Sequence, residues 1–87
     1  MAVLYRHHVR GMDASQYDQA SQQLLPALKQ QPGFQYHVAF ASSDGFTVSE
    51  IWETREQHDE WFENNVKPNV PAQIEVEVLD VHNVVTP

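Results

Sequence analysis

The side chains of this chain best suited to chemistry fall within residues 46–68, FTVSEIWETREQHDEWFENNVKP. His58 carries an imidazole whose ordinary pKa, near ~6.5, lets it take and return a proton at neutral pH. It reads either as a general base or as a helix-start histidine satisfied by a carboxylate or by water. Trp52 offers a flat indole that can stack on a planar substrate or, equally, fill a core with its N–H bonded. Glu50 lies two residues earlier and, on an extended strand, on the same face. A carboxylate on a buried face must be paired or protonated, and His37, Tyr36 and Arg6 are the partners on offer. Glu50 is therefore one half of a structural ion pair or an acid/base companion of His58.

Other chemistries lack their residues. There is no cysteine, hence no thiol nucleophile, disulfide framework or Cys-based zinc site. His7, His8, His37 and His82 join His58, but no His-x-x-x-His spacing gathers them, and the reading is that no metal is bound. A G-x-S-x-G elbow and a Gly-rich phosphate loop are both missing, and three glycines in all exclude a dinucleotide cofactor.

These side chains need elements to position them. In residues 2–10, Val3, Tyr5, His7 and Val9 alternate with Leu4, Arg6, His8 and Arg10, a period-two pattern that predicts a strand ended by Gly11. Adjacent His7 and His8 must then point to opposite faces, so only one looks into a core or pocket. Asp13 or Ser15 can cap the next segment, where Tyr17, Ala20, Leu24, Leu25 and Leu28 form the apolar, core-facing stripe of a helix. Pro26 lies inside that stripe and predicts a kink, or a helix that ends near Leu25 and restarts. Pro32 and Gly33 stop it.

Residues 34–41 and 46–52 are two alternating runs separated by turn chemistry ending in Asp44-Gly45, which predicts a β-hairpin. Phe34, Tyr36, Val38 and Phe40 fall on one face of the first strand; Phe46, Val48, Glu50 and Trp52 share a face of the second. Register decides the chemistry. An even loop, such as a two-residue Asp-Gly turn, puts His37 beside Glu50 and Trp52; an odd loop puts Tyr36 there.

Thr54, with Gln57 three residues on, begins a second helix whose stripe is His58, Trp61, Phe62, Asn65 and Val66. Lys67 and Pro68 end it, and a link over residues 69–71 follows. Residues 73–85 read as a long final strand whose apolar parity shifts after Val78. That shift predicts a bulge or a second half buried on both faces, the latter by a partner subunit. The order βαββαβ is the ferredoxin-like α+β pattern, a four-stranded antiparallel sheet with both helices on one face.

An 87-residue chain is one small domain, residues 1–87. A chain of this size buries only about two-thirds of its unfolded surface, so the uncovered sheet face argues for a homodimer. The net charge of -7, with five scattered basic residues, argues against nucleic acid and anionic membranes. The polar N-terminus and the lack of a long apolar run predict a cytoplasmic protein with no membrane segment. The expected ligand is small and apolar or aromatic rather than polyanionic.

With Pro32-Gly33-Phe34 opening one strand, Glu50-x-Trp52 closing the next and Thr54-x-Glu56 starting a helix, the chain resembles the antibiotic biosynthesis monooxygenase type of dimeric α/β-barrel protein, in its small, largely uncharacterised branch. The resemblance implies two sheets packed as a dimeric barrel and a pocket between sheet and helices in each subunit. It implies a cofactor-independent monooxygenase or cyclase acting on an aromatic or polyketide-like molecule, with Trp52 lining the pocket. The alternative is a non-catalytic dimeric module that binds a small ligand or another protein. Oxygenase members carry an Asn four residues before that Trp and a Tyr six residues after it. Val48 and His58 stand at those positions here, so the hydrogen bond of the Asn is lost and an imidazole replaces the phenol. Together with the residue readings above, this gives catalytic His58 and Glu50, and a pocket of Trp52, Val48 and either His37 or Tyr36. Haem ligation is not supported, because Trp61 and Phe62 occupy the stretch where haem-degrading relatives place a His.

Overall fold

The computed structural model describes residues 2–70 and 73–87, so Pro71 of the expected link lies outside the described residues. Strand β1 (Val3–Arg10) leads to helix α1 (Ala14–Leu28), then β2 (Phe34–Ser42) and β3 (Gly45–Trp52). Helix α2 (Arg55–Trp61) continues into a π-helical segment, Phe62–Val66, and β4 (Ile74–Asp80) closes the chain's regular structure. The sheet is antiparallel throughout, in the order β2-β3-β1-β4. The expected ferredoxin-like arrangement is the observed one.

Each helix begins where a side chain can take up a free N–H. Asp13 caps α1 and forms a capping box with Gln16, and Thr54 accepts from the Gln57 N–H at the start of α2. Helix α1 runs unbroken through Pro26 and does not end near Leu25 and restart. The proline sits in the last turn, so it removes one backbone bond at a place where few remain to be made. Beyond it, the Lys29 N–H still reaches the Leu25 carbonyl at 3.1 Å.

Val3, Tyr5 and Trp52 of the sheet, with Leu28 of α1 and Trp61 of α2, make the core. Leu24, Leu25, Phe34 and Val66 pack around it. The stripes read from the sequence supply these contacts, and both helices therefore cover one face. His7, not His8, shares that face and is buried with Tyr5.

The hairpin has two loop residues, Ser43 and Asp44, and Ser42 pairs with Gly45. The loop is even, as one of the two alternatives required, but the Asp-Gly pair is split: Asp44 is in the turn and Gly45 opens β3. Any side chain at Gly45 would collide with the Val9 carbonyl, which fixes this corner against the end of β1. Register runs regularly down to Tyr36, which pairs with Ile51; a bulge then shifts Phe34 opposite Trp52. Phe34 is thereby turned onto the core face, edge-on to the indole at 5.6 Å. Tyr36, Val38 and Phe40 stay on the uncovered face.

The final strand is shorter than its apolar pattern suggests. It stops at Asp80, and residues 81–87 form no further ladder beyond one bond from the Val81 N–H to the Ala2 carbonyl at 3.0 Å. The pairing with β1 runs from Val9–Ile74 to Val3–Asp80 without a bulge, so the parity shift falls at the end of the strand. Val76, Val78 and Leu79 are substantially exposed because β4 is an edge strand that the helices do not reach. No helix among the described residues is long and apolar enough to cross a membrane.

Candidate functional site

Glu50 and His37 are direct partners across the β2–β3 ladder, and Nδ1 of His37 lies 2.8 Å from Oε2 of Glu50. A carboxylate accepts only, so His37 Nδ1 carries the proton and Nε2 offers its lone pair. The Tyr17 hydroxyl, reaching down from α1, donates to that lone pair at 2.6 Å. On the other side, the Trp52 indole N–H donates to Glu50 Oε1 at 3.0 Å. The result is a continuous line, Tyr17 O–H to His37 to Glu50, with Trp52 holding the far oxygen. Its logic is that of a hydroxyl, an imidazole and an orienting carboxylate.

Burial by itself would raise the Glu50 carboxyl, but the hydrogen bonds from His37 and Trp52 and the charge of His7 outweigh it, holding the group below its ordinary value. Glu50 is an ionised, nearly inaccessible acceptor. Burial, together with the negative charges of Glu50 and Asp18, pushes Tyr17 up, so the phenol keeps its proton.

A second line runs close to Glu50 without a hydrogen bond to it. His7 on β1 is directed by Nδ1 to the Val48 carbonyl at 3.1 Å, and its Nε2 lies 2.8 Å from Nε2 of His58. His58 in turn faces Asp59 through Nδ1, at 2.9 Å from Oδ1. Its ring lies flat on Tyr5, with centroids 3.3 Å apart, and the Tyr5 hydroxyl donates to the same Asp59 oxygen at 3.2 Å. Burial, reinforced by Asp59, raises the Tyr5 phenol to about 12. Burial lowers both histidines, outweighing the opposing pull of Glu50 on His7 and of Asp59 on His58. His7, Glu50 and His58 are all buried, and one ligand-type atom from each falls within 4.8 Å of the others. No spacing in the sequence announces this grouping, because its members come from β1, β3 and α2.

A cavity opens between α1 and the sheet, leaving about 80 Å³ to the centres of water-sized molecules. A single water needs roughly 10–15 Å³ on that measure, so the space suits a small ring system. Its wall is mostly aliphatic, including Leu24, Leu25, Leu28 and Val70, while Tyr17, His37, Glu50 and His7 supply the polar groups. Val48 lines it as expected.

Trp52 does not line it. The indole is wholly buried in the core, donates its N–H to Glu50 and packs edge-on against the His58 ring at 5.8 Å. Tyr36 faces away, on the opposite side of the sheet, because the even loop assigns the inner position to His37. His58 is also absent from the cavity wall; it stands behind His7 and borders a separate groove between α2 and β4, with Tyr5, Asp59 and Val76. Two residues gain importance that sequence reading had not given them. Tyr17 was expected as core, and His7 as one of two undecided strand histidines. The signal for His7 was present, since it shares parity with buried Val3, Tyr5 and Val9; Tyr17 had none beyond its place on the apolar stripe.

No family model matches the sequence, and no curated protein matches it either. Solved structures do match. The cofactor-independent oxygenase SnoaB from Streptomyces nogalater superposes with a TM-score of 0.68 at 10% identity, over 99% of this chain and 97% of that one. An antibiotic biosynthesis monooxygenase-type protein from Deinococcus radiodurans gives 0.66 at 10% identity, covering 100% and 98%. The haem degrader MhuD from Mycobacterium tuberculosis, solved with two haems in its active site, gives 0.64 at 15% identity, covering 97% and 99%. The chain shares its fold with these three proteins over nearly its whole length.

Proposed function

We propose that this chain is a small enzyme that removes a proton from an aromatic or polyketide-like molecule held in the cavity between α1 and the sheet. The observation that carries the reading is the line from Tyr17 through His37 to Glu50, bonded at 2.6 and 2.8 Å, ending in a cavity that is otherwise apolar. His37 is the base and Tyr17 is the group that meets the substrate and passes its proton inward. Glu50 holds the imidazole in the required tautomer and stabilises the imidazolium that forms. His58, expected as the base, stands behind His7 and hydrogen-bonds to no member of this line. An apolar wall suits a neutral ring and keeps a newly formed enolate or phenolate out of water. Attack of that anion on dioxygen, the oxidant, would give a hydroperoxide whose O–O bond breaks with loss of water to leave a carbonyl, a monooxygenation. Attack on its own carbonyl would give an alkoxide that takes the proton back from the relay, a cyclisation. The likeness in fold to a cofactor-independent oxygenase supports the oxygenase branch of this reading.

The test is a thermal-shift screen of phenolic and polyketide-type rings, followed by turnover of the hits with and without oxygen. Tyr17→Phe and His37→Ala are expected to abolish turnover, with Tyr17→Phe still binding the hit. Hits that bind and turn over equally well in both variants would remove the line from the mechanism. A protein that binds no ring compound but retains a protein partner through purification would favour the non-catalytic module.

A further inference from the structure

The proton inventory of the His7–His58 pair leaves a gap. The Val48 carbonyl can only accept, so His7 Nδ1 carries a proton toward it at 3.1 Å. The Asp59 carboxylate likewise requires a proton on His58 Nδ1, at 2.9 Å. Two neutral imidazoles own one ring proton each, and both are now used. The two Nε2 atoms therefore present lone pairs to each other at 2.8 Å, a repulsive contact unless something electron-poor stands between them. A third proton would do it, but only by making an imidazolium of one of two rings that are both buried.

The alternative filler is a cation. Metal-bound histidines characteristically donate their other ring N–H to a backbone carbonyl or a carboxylate, as His7 and His58 do here to Val48 and Asp59. Two nitrogens on one tetrahedral ion with bonds near 2.0 Å sit about 3.3 Å apart, so the pair needs to open by only about half an ångström. Glu50 completes the set within 4.8 Å, and each of its oxygens keeps a lone pair beyond those taken by Trp52 and His37. Those two N–H groups orient the carboxylate as outer partners of a ligand should. Access is provided as well. His58 borders the groove between α2 and β4, whose rim carries Asp59 and Glu63 together with Arg55 and Lys67, while His7 and Glu50 face the cavity.

We propose that Nε2 of His7, Nε2 of His58 and the Glu50 carboxylate bind one divalent first-row transition metal ion of the zinc class, with the remaining coordination position open to the cavity. Two imidazoles and one carboxylate suit zinc or ferrous iron and do not suit the all-oxygen preference of magnesium or calcium. The site goes beyond the proton relay proposed above and shares only Glu50 with it.

The experiment uses the full chain, stripped with a chelator and titrated with zinc, then with cobalt as a spectroscopic substitute. One ion per chain is expected, with visible cobalt absorption of a four- or five-coordinate centre. In ¹⁵N spectra of the imidazoles, zinc should shift the Nε2 signals of His7 and His58 and leave those of His8 and His82 in place. Glu50→Gln keeps both histidines and should weaken binding by more than the roughly 10–100-fold typical of losing an outer partner alone, whereas Tyr17→Phe, which breaks the relay, should bind zinc as the parent does. The magnesium arm should show no binding at the site. No zinc binding by the parent at near-millimolar metal, or shifts confined to His8 or His82, overturns the proposal. So does an Nε2–H signal between the two rings that survives saturating zinc. Turnover plays no part in these readouts, so failure of the metal site and failure of the relay remain distinguishable.

Discussion

His37 and Glu50 are opposed residue for residue across the β2–β3 ladder, and a 2.8 Å hydrogen bond joins them. A slip of one residue would exchange His37 for Tyr36 and send the imidazole to the other side of the sheet. The two neighbours should therefore behave as opposites. His37→Ala is expected to abolish turnover of any ring compound found in the screen, while Tyr36→Ala leaves turnover per folded chain within about twofold and affects only what touches the uncovered face. Steady-state kinetics on the two variants checks this; equal losses would contradict the register argument.

Trp52 is expected to matter for stability and for Glu50 rather than for ligand contact. Its indole is wholly buried and donates to Glu50 Oε1 at 3.0 Å. Trp52→Phe removes buried volume and leaves a carboxylate oxygen without its donor, a combined cost of about 2–4 kcal/mol. Urea unfolding should show that loss in midpoint without a change in slope. The affinity of a cavity ligand should change far less, and a variant that keeps its stability but loses its ligand would restore Trp52 as a pocket wall.

The buried histidines give stability a definite pH dependence. His7 and His58 have folded pKa values lowered chiefly by burial, so as pH falls through ~6.5 the unfolded chain takes up protons that the folded chain resists. Their contribution is fully present above that unfolded value and is lost as pH falls toward the folded ones, at up to about 1.4 kcal/mol per pH unit for each. Glu50 acts in a lower window. Its pKa is lowered on folding, so its contribution is present above the unfolded value near ~4.3 and disappears as pH falls through the folded one. Chelator-treated protein should thus lose stability between about pH 7 and pH 5, before ordinary carboxylates titrate. His58→Phe should roughly halve that slope; a flat parent profile over the interval would contradict it.

The element order, the start of each helix and the alternation of each strand were legible because periodicity reports which residues share a face before it reports what is beside it. Glu50 was legible for the same reason: a carboxylate in phase with Trp52 has to find a partner, and His37 was among those named. What escaped was convergence across the fold. His7, His58 and Tyr17 lie on β1, α2 and α1, and their meeting depends on how far each helix slides along the sheet, which no local pattern encodes. The role of Trp52 escaped for a different reason, since a core wall and a cavity wall are read from the same alternating apolar positions. The bulge at residue 35 was likewise invisible, because Phe34 and Tyr36 are both aromatic and either fits either face.

The uncovered sheet face bears on assembly. Tyr36, Val38 and Phe40 are 54%, 38% and 47% exposed on edge strand β2, and Leu79 of β4 is 41% exposed on the same face. Large aromatic and branched side chains grouped in this way on one side of a sheet mark an interface more often than free surface. Arg6–Glu77 and Arg10–Glu75 pairs cross the β1–β4 side of that face at 3.4 and 2.6 Å, leaving the apolar part concentrated on β2. A homodimer that buries β2 against a second copy is the expected state, and light scattering at micromolar concentration should return twice the chain mass. Phe40→Glu places a charge where two copies would meet and should give a folded monomer. The cavity lies on the far side of the sheet, so the monomeric variant should still bind a cavity ligand, with affinity reduced by less than about tenfold. A parent protein that is monomeric at those concentrations would contradict the interface, whatever the ligand does.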